Sequence, residues 1–468
     1  MDSISVIFDP KIELAELSIQ DVEFGSNPNY KPKGGETKFS KLVGDYSPFV
    51  EINGMKFSGY DIENFVLDLS GFVPRVTIAI KEKSGLFASK SYPKDGDLIQ
   101  VYIKSNNKDF KPVRQDFRVL DCDAGPSVDD KGEINTFIVE GIINLPDMWV
   151  DKAKSYPGKT SLDTITDICK DLKLGLAVNE TSPSDAMTRI CPYTTYEDFI
   201  LNDIIPSTYK DDNSFFTAFL DHHYYMNYIE VNSLITHDRE FDQATINFLA
   251  HSDYNPDDNP EVEKELTEMY LSNSKQVYGT PNQITGYAPI NDSGNISLKN
   301  GYRTYIQYYD KDAKDTQQYF IETLNTEGVE NKIILKGRID EDHTKQVKTV
   351  NLGYQFNDNV HENYHHARVQ NKYNNEELNK LMMVVDLATI NPNIHRYQIL
   401  PIYIINNRGS DVRERATAAE EDSPNAIDAF LSGYYVVMGI KYVFSGSGGN
   451  KRFYQQMLMA RREYDVPL

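Results

Sequence analysis

Apolar and polar residues alternate most clearly at the C-terminal end of the chain. In GYYVVMGIKYVFSGSGGNKRFYQQMLMARREY, Gly433 to Tyr464, the run through Tyr435, Val437, Tyr442 and Phe444 predicts a strand rich in aromatic and β-branched residues. SGSGG at Ser445 to Gly449 supplies a turn tolerant of positive φ, and RFYQQMLMA supplies the returning strand. Upstream, LMMVVDLATINPNIHRYQILPIYII (Leu381 to Ile405) holds two further apolar runs separated by Asn391 and Pro392, so about four antiparallel strands are expected here. A similar series lies near the other end, in IENFVLDLSGFVPRVTIAI, DLIQVYIKS, QDFRVLDCDAG and INTFIVEGII, between Ile62 and Ile143. Val101, Tyr102 and Ile103 match Ile402, Tyr403 and Ile404, an offset of 301, while Phe117 and Val119 match Tyr435 and Val437, an offset of 318. The expected fold is mainly β with α+β parts: two similar small antiparallel β-barrels, an α/β module and insertions.

Between the two series the pattern changes from period two to helical spacing. After SYPGK, Ser161 is a fair N-cap, Leu162, Ile165, Ile168, Cys169 and Leu172 recur as one helical face, and Gly175 ends the helix. TTYEDFILNDIIPS predicts a short helix broken at Pro206, and NSFFTAFLDHHYYMNYIEVNSL a helical or extended aromatic stretch ending in a strand. HSDYNPDDNPEVEKELTE reads as an acidic linker. TYIQYYD, QQYFIETL, NKIILKG and VKTVNLGY are strand-like, and NDNVHENYHHARVQNKYNNEELNKLMM reads as one helix with Val360, Tyr364, Ala367, Leu378 and Leu381 as inner positions. The expected division is an N-terminal arm (1–46) lying on another surface or disordered, a first barrel (47–146), an α/β module (147–250), a linker and β-rich insertion (251–352), and a connector helix with the second barrel (353–468) that carries a polar insertion at 406–430.

Composition narrows the function. With 48 Lys and Arg against 70 Asp and Glu, the formal charge of −22 argues against binding nucleic acid through phosphates. No basic leader with an apolar core opens the sequence, and no apolar run approaches the roughly 18 residues that span a membrane, so a protein made without export is expected. Cys122, Cys169 and Cys191 lack CxxC spacing and read as reduced core residues. Tyrosine is abundant, 31 residues against a single tryptophan, Trp149, which favours partly wet interfaces.

One catalytic pattern occurs, HENYH, formally HExxH, in which His361 and His365 would share a zinc ion and Glu362 would activate water if all three lay on one helix. No clear third ligand follows, although Glu376 and Glu377 exist, and a surface helix with solvated histidines is the competing reading. His222 and His223, adjacent on an expected strand, point to opposite faces and make a poor metal pair. DYNPDDNPE lacks the glycine and the final glutamate of a calcium loop. No phosphate loop or nucleophile elbow is present, so no enzyme, no cofactor and no metal are expected.

The order of these segments resembles the central baseplate hub proteins of contractile-tailed phages, relatives of late-control tail proteins and of the hub half of type VI secretion spike proteins. The resemblance rests on GDLIQVYI, SYPGKTSLDTITDICKDLKL, TYEDFILNDII running into FLDHHYYMNYIEV, HHARVQNKYNNEELNKL before LMMVVDLATINPNIHRYQILPIYI, and the closing YYVVMGIKYVFSGSGGNKRFYQQMLMARRE, about two thirds of the chain. Where the family has a Gly-Asp-like turn before a strand of the second barrel, this chain has RYQILP. The resemblance implies a homotrimer whose barrels alternate round a pseudo-sixfold ring, joining a sixfold tail tube to a threefold spike. It further implies neighbouring baseplate wedge proteins, a channel through which DNA only passes, no membrane insertion, and a virion tail baseplate assembled in the host cytoplasm. An acidic chain suits such a channel if its acids line it. Two alternatives stand beside it: a zinc metallopeptidase using His361, Glu362 and His365, marked by stoichiometric zinc, and a receptor- or carbohydrate-binding tail protein, marked by an aromatic groove.

Overall fold

The computed structural model describes residues 4–15, 46–105, 113–235, 271–296, 303–322, 347–405 and 428–461, apart from residues 60, 83–84, 130–131, 213, 274–280, 293–294, 311–313, 356–359, 392–393, 429–430 and 446–451. The acidic linker, NKIILKG, SGSGG from its second residue and most of 406–430 therefore lie outside the described residues. The chain begins with β1 (Ser5–Phe8), followed by β2 (Tyr46–Ile52), β3 (Met55–Phe57), β4 (Ile62–Asp68), β5 (Arg75–Glu82), β6 (Leu98–Ser105), β7 (Val113–Asp129) and β8 (Gly132–Ile143). The middle contains α1 (Pro146–Trp149), β9 (Lys152–Lys159), α2 (Ser161–Asp171), β10 (Gly175–Val178), β11 (Met187–Thr194), α3 (Tyr196–Phe199), β12 (Phe216–Leu220), β13 (Tyr225–Glu230) and α4 (Asn232–Ile235). After it come β14 (Leu271–Ser272), β15 (Ile284–Asn291), β16 (Arg303–Asp310), β17 (Asp315–Glu322), β18 (Val347–Gln355), α5 (Tyr364–Leu378), β19 (Leu381–Leu387), β20 (Ile399–Tyr403), β21 (Gly433–Ser445) and β22 (Arg452–Arg461).

The sequence leads one to expect two separate barrels, but the two β series do not close; they share one sheet in the order β15-β19-β22-β21-β4-β5-β8-β7-β6-β2-β3, with β20 beside β21 and β14 beside β20. The reason is visible at β4, whose free edge pairs with β21 from Lys441↔Asp68 to Ser445↔Asn64. Beyond that seam, the expected likeness of the two series extends to the hydrogen-bond register. Ile99 faces Phe117 and Val101 faces Gln115 across β6 and β7, while Leu400 faces Tyr435 and Ile402 faces Gly433 across β20 and β21. Offsets of 301 and 318 convert the first pairs into the second, and these are the offsets already seen in the apolar runs. The same 318 carries β8 onto β22, since Val119 faces Gly141 and Val437 faces Met459. In both copies the register then breaks, between Val119 and Asp121 and between Val437 and Gly439. A second bulge recurs at Ile62/Asn64 of β4 and Ile284/Gly286 of β15, an offset of 222. Bulges bend and twist a sheet at fixed points, so their repetition means the two copies share curvature as well as order.

Two sequence expectations change as a result. β15 is the first strand of the second copy, although it falls within the stretch 251–352 assigned to linker and insertion; it pairs with β19 as β4 pairs with β5. The short link between β4 and β5 is replaced in the second copy by the interval from 292 to 380, which contains the β17-β16-β18 sheet and α5. The RYQ turn also does the work of Gly-Asp. Gly96 (φ 81) and Tyr397 (φ 60) both adopt the left-handed conformation. Each donates its N–H to the bulge-adjacent carbonyl, Val119 or Val437, and the next residue's carbonyl accepts in return. Lys94 N–H donates to the Asp97 carboxylate at 2.8 Å and His395 N–H to the Gln398 side-chain oxygen at 3.2 Å. A left-handed tyrosine costs about 1–2 kcal/mol, offset here by burial of Tyr397 and its stacking on Phe219 at 5.5 Å.

The middle segment forms a second sheet, β1-β10-β13-β12, in which β10 and β13 run parallel. Helix α2 starts one residue earlier than expected: Thr160 is the N-cap, exchanging hydrogen bonds with Asp163 in a capping box. Ser161 is instead buried, its hydroxyl 2.9 Å from that of Tyr228. The helix ends before Gly175, with Lys173 (φ 58) left-handed, and Gly175 serves close packing, because a Cβ there would lie 2.5 Å from the Tyr225 ring. Residues 4–15 of the arm lie on the chain's own surface: β1 pairs with β10, and Ala15 N–H donates to Asp116 at 2.9 Å. One apolar core runs from Val50 through Ile165 and Tyr228 to Met459, so both sheet copies pack against the middle segment.

Helix α5 is shorter and more polar than expected. Ala367 and Leu378 are buried, Val360 and Tyr364 are half-buried and precede or open the helix, and Leu381 begins β19. Its packing face is largely amide. Asn371 accepts from Phe216 N–H at 2.7 Å and donates to the carbonyls of Thr208 at 2.7 Å and Pro206 at 3.2 Å, and Gln370 donates to those of Asp211 and Ser214. The carbonyls of Pro206, Thr208, Asp211 and Ser214 lie outside any strand, and these side chains bond to them.

Candidate assembly interface

The seam between the sheet copies is built from long strands. β21 continues past the end of β20 and meets β4, which has no other neighbour on that side. Leu69 N–H donates to Ile440 C=O at 2.8 Å, and by alternation Tyr442/Leu67 and Phe444/Phe65 are the next hydrogen-bonded pairs. On the core face Phe65, Leu67 and Tyr442 are all 0% exposed. On the other face a row of side chains crosses five strands in register, Asp386, Gln456, Lys441, Asp68 and Arg75. Gln456 donates to Asp386 at 2.9 Å and Lys441 Nζ lies 2.8 Å from Asp68. Burial alone would raise the Asp68 carboxyl, but Lys441 and Ser70 outweigh it and hold it below its ordinary value. Arg396 locks the seam from behind, donating to the carbonyls of Met438 (2.8 Å), Leu69 (3.2 Å) and Gly71 (2.6 Å), with its guanidinium 4.1 Å from the Phe219 ring centroid.

The repeat leaves two edges with no strand neighbour among the described residues. On β7, pairing with β6 stops at Arg118 while the strand continues to Asp129 along β8. On the other side β15 ends the sheet. Large apolar residues surface on these edge strands, Leu120 at 49% and Tyr287 and Ile290 at 38%, with Ile138 of β8 next to β7 at 44%, in contrast with the closed seam. On the sheet face turned from the core, Arg75, Lys81 and Lys441 interleave with Glu63, Asp68, Glu140 and Asp386, and Lys81 pairs with Glu63 at 2.5 Å. The tyrosines divide: Tyr156, Tyr196, Tyr228, Tyr435 and Tyr442 are at most 2% exposed, whereas Tyr193, Tyr92 and Tyr287 are exposed.

The HExxH residues do not share a helix face. His361 and Glu362 precede α5, where the His361 carbonyl accepts from Tyr364 N–H, and the His361 ring Nε2 donates to Ser207 C=O at 2.8 Å. His365 lies within the helix. The i, i+4 premise of the zinc alternative is therefore absent, Glu376 is on the far end of α5, and among the described residues no cluster of three His, Cys, Asp or Glu is placed to hold a metal. His222 and His223 occupy the β12–β13 turn rather than a strand, with ring centroids 4.1 Å apart. That turn is set by Asp221, which accepts from His223 and Tyr225 N–H, signals invisible in alternation alone. All three cysteines are free, Cys169 and Cys191 buried and Cys122 half-buried. No helix among the described residues is long and apolar enough to cross a membrane.

Burial holds His361, His365 and His366 below the ordinary 6.5. The unfolded chain then takes up protons that the folded chain refuses, so their contribution is complete above 6.5 and is lost as pH falls toward the lowered values. Buried carboxylates such as Asp203 and Glu230 are raised and act oppositely, so the readout is a difference. His361→Gln, which keeps a donor for Ser207, is expected to lose less melting temperature than wild type between pH 7 and 5; equal losses would contradict the neutral buried imidazole.

No family model and no curated protein sequence matches the chain. Solved structures with a similar fold include a tail protein from Neisseria meningitidis MC58, at 10% identity and a TM-score of 0.49 over 90% of this chain and 98% of that one. The 43 kDa tail protein of prophage MuSo2 from Shewanella oneidensis is similar at 9% identity and a TM-score of 0.48 over 89% and 98%. The half-lidded PdpA–VgrG complex of Francisella is similar at 10% identity and a TM-score of 0.43 over 92% and 62%. Tail proteins, one of them from a prophage and of a kind the sequence resemblance named, and a PdpA–VgrG complex are thus what this chain is similar to.

Proposed function

We propose that the chain is a non-enzymatic structural hub of a phage contractile-tail baseplate, part of the virion, acting as a homotrimeric ring between a sixfold tail tube and a threefold central spike. The observation that carries this reading is the doubled sheet: one chain holds the same strand order, register and bulges twice, joined edge to edge. Three such chains present six near-equivalent sectors to one neighbour and three chain-specific surfaces to another, which is what a symmetry adaptor needs. The second-copy insertion and the docked arm distinguish the chains' two halves and supply contacts with threefold periodicity.

The division into parts follows the register: a first sheet copy within 47–146, the middle segment, and a second copy made of β14–β15 and 381–461 that carries the β16–β18 sheet and α5 as an insertion. The ring would enclose a passage for DNA. Its non-stick character would come from charges of both signs neutralising each other along the sheet face, as in the Asp386–Arg75 row, rather than from the net charge of the chain.

Sedimentation equilibrium over a concentration series tests the assembly. A monomer–trimer equilibrium of a 53.5 kDa chain is expected. A monomer at every concentration, or a dimer plateau, contradicts the ring.

A further inference from the structure

The seam inside the chain has a counterpart that the chain cannot complete alone. Residues of β21 that meet β4 map onto β7 by the 318 offset, and residues of β4 map onto β15 by the 222 offset. Lys441↔Asp68 becomes Asp123 opposite Ile290, and Val443↔Val66 becomes Gly125 opposite Ala288. Both mapped segments lie on the edges described above, although at Cys122 the carbonyl already accepts from the Tyr92 hydroxyl at 2.9 Å and the N–H donates to Asp121 at 2.7 Å, so the joint rests on the positions from Asp123 to Pro126. The two segments belong to opposite ends of the sheet order, so the partner that supplies the missing strand is a second copy. We propose, building on the ring reading, that β7 of one copy pairs antiparallel with β15 of the next in this register, and that two prolines make this joint weaker than the internal seam.

The prolines are placed by the repeat. In the seam, Ile440/Leu69, Tyr442/Leu67 and Phe444/Phe65 direct their backbone groups across the pairing. Their counterparts are Cys122/Asn291, Ala124/Pro289 and Pro126/Tyr287. Because the bulge at Val119/Asp121 repeats that at Val437/Gly439, the nitrogens of Pro126 and Pro289 face outward from their strands. Proline has no N–H to give there, so each of those two pairs forms one hydrogen bond where the seam forms two. Apolar mass is reduced as well: Ala124 stands for Tyr442, Pro126 for Phe444 and Pro289 for Leu67, and the Lys441–Asp68 ion pair has no equivalent. A head-to-tail edge joint that was as strong as the seam would favour unchecked edge-to-edge growth; prolines on exposed edges restrain this.

Two measurements test the joint. Asp123 and Ile290 form a non-hydrogen-bonded pair, whose Cβ separation suits a disulfide. In a Cys122→Ser background, D123C with I290C is expected to give covalent multimers on oxidation, ending at the size of the assembly found by sedimentation. D123C with A288C, two residues out of register, is expected to give none. Separately, Pro289→Leu restores both the N–H and the side chain found at Leu67, and is expected to tighten self-association by roughly five- to tenfold. Assembly with cross-links only in the shifted pair, or with no cross-links, overturns the register while leaving the ring intact. Assembly that P289L leaves unchanged or weakens overturns the role of the prolines. A chain that stays monomeric in every variant overturns the joint and the ring together.

Discussion

Replacing Arg189 with methionine is expected to cost about 3–5 kcal/mol of folding stability, because it strands a buried carboxylate. Arg189 and Asp185 both have side chains at 0% exposure, with Nη2 3.2 Å from Oδ2. Burial pulls the guanidinium down, and Asp185 opposes that pull. Arg189 also donates to the carbonyls of Lys159 at 2.7 Å and Asp185 at 3.1 Å, fastening β11 to the end of β9. Asp185 in turn accepts from Ser161 N–H at 3.0 Å, which sets the first turn of α2. Urea unfolding measures the loss. The double variant Arg189→Met with Asp185→Asn removes both charges while keeping an acceptor for Ser161, and is expected to regain at least half of it. A double variant no more stable than R189M would show that the lost carbonyl contacts, rather than the stranded charge, dominate.

Arg396→Met is expected to cost about 2–4 kcal/mol and to act locally at the seam. Three carbonyls, from Met438, Leu69 and Gly71, lose this donor, and the stacking of guanidinium on Phe219 goes with them. Since Met438 lies on β21 and Leu69 and Gly71 follow β4, the damage falls between the two sheet copies. Hydrogen exchange of the Leu69 amide, which donates to Ile440, is expected to accelerate, while that of Val119 in the first copy is not. Uniform acceleration would mean a global effect, and no change would mean that the seam stands without this clamp.

Much of the doubled architecture was legible because inward-facing strand residues must be apolar with period two. Val101, Phe117, Ile402 and Tyr435 carry that signal, and the offsets they define are those of the hydrogen-bond register. β15 was hidden because ITGYAPIN is an edge strand, exposed at Thr285 and from Tyr287 through Asn291, where neither burial nor alternation is required. Turn chemistry hid Tyr397, since its left-handed conformation is held by packing on Phe219 instead of by a glycine. The polar face of α5 obscured its packing role, because Gln370 and Asn371 serve backbone groups far away in sequence. HENYH looked helical but lies across a helix start, where His361 is turned toward Ser207. The assembly edges were unreadable for a further reason: an unpaired strand looks like any other until the sheet order shows which neighbours it lacks.

The central claim is that the two sheet copies are consecutive sectors of a closed ring. Electron microscopy of the lightly fixed assembly tests it most directly. Class averages are expected to show threefold symmetry with six near-equal lobes about one opening. A twofold particle, or an open filament of chains, would contradict it.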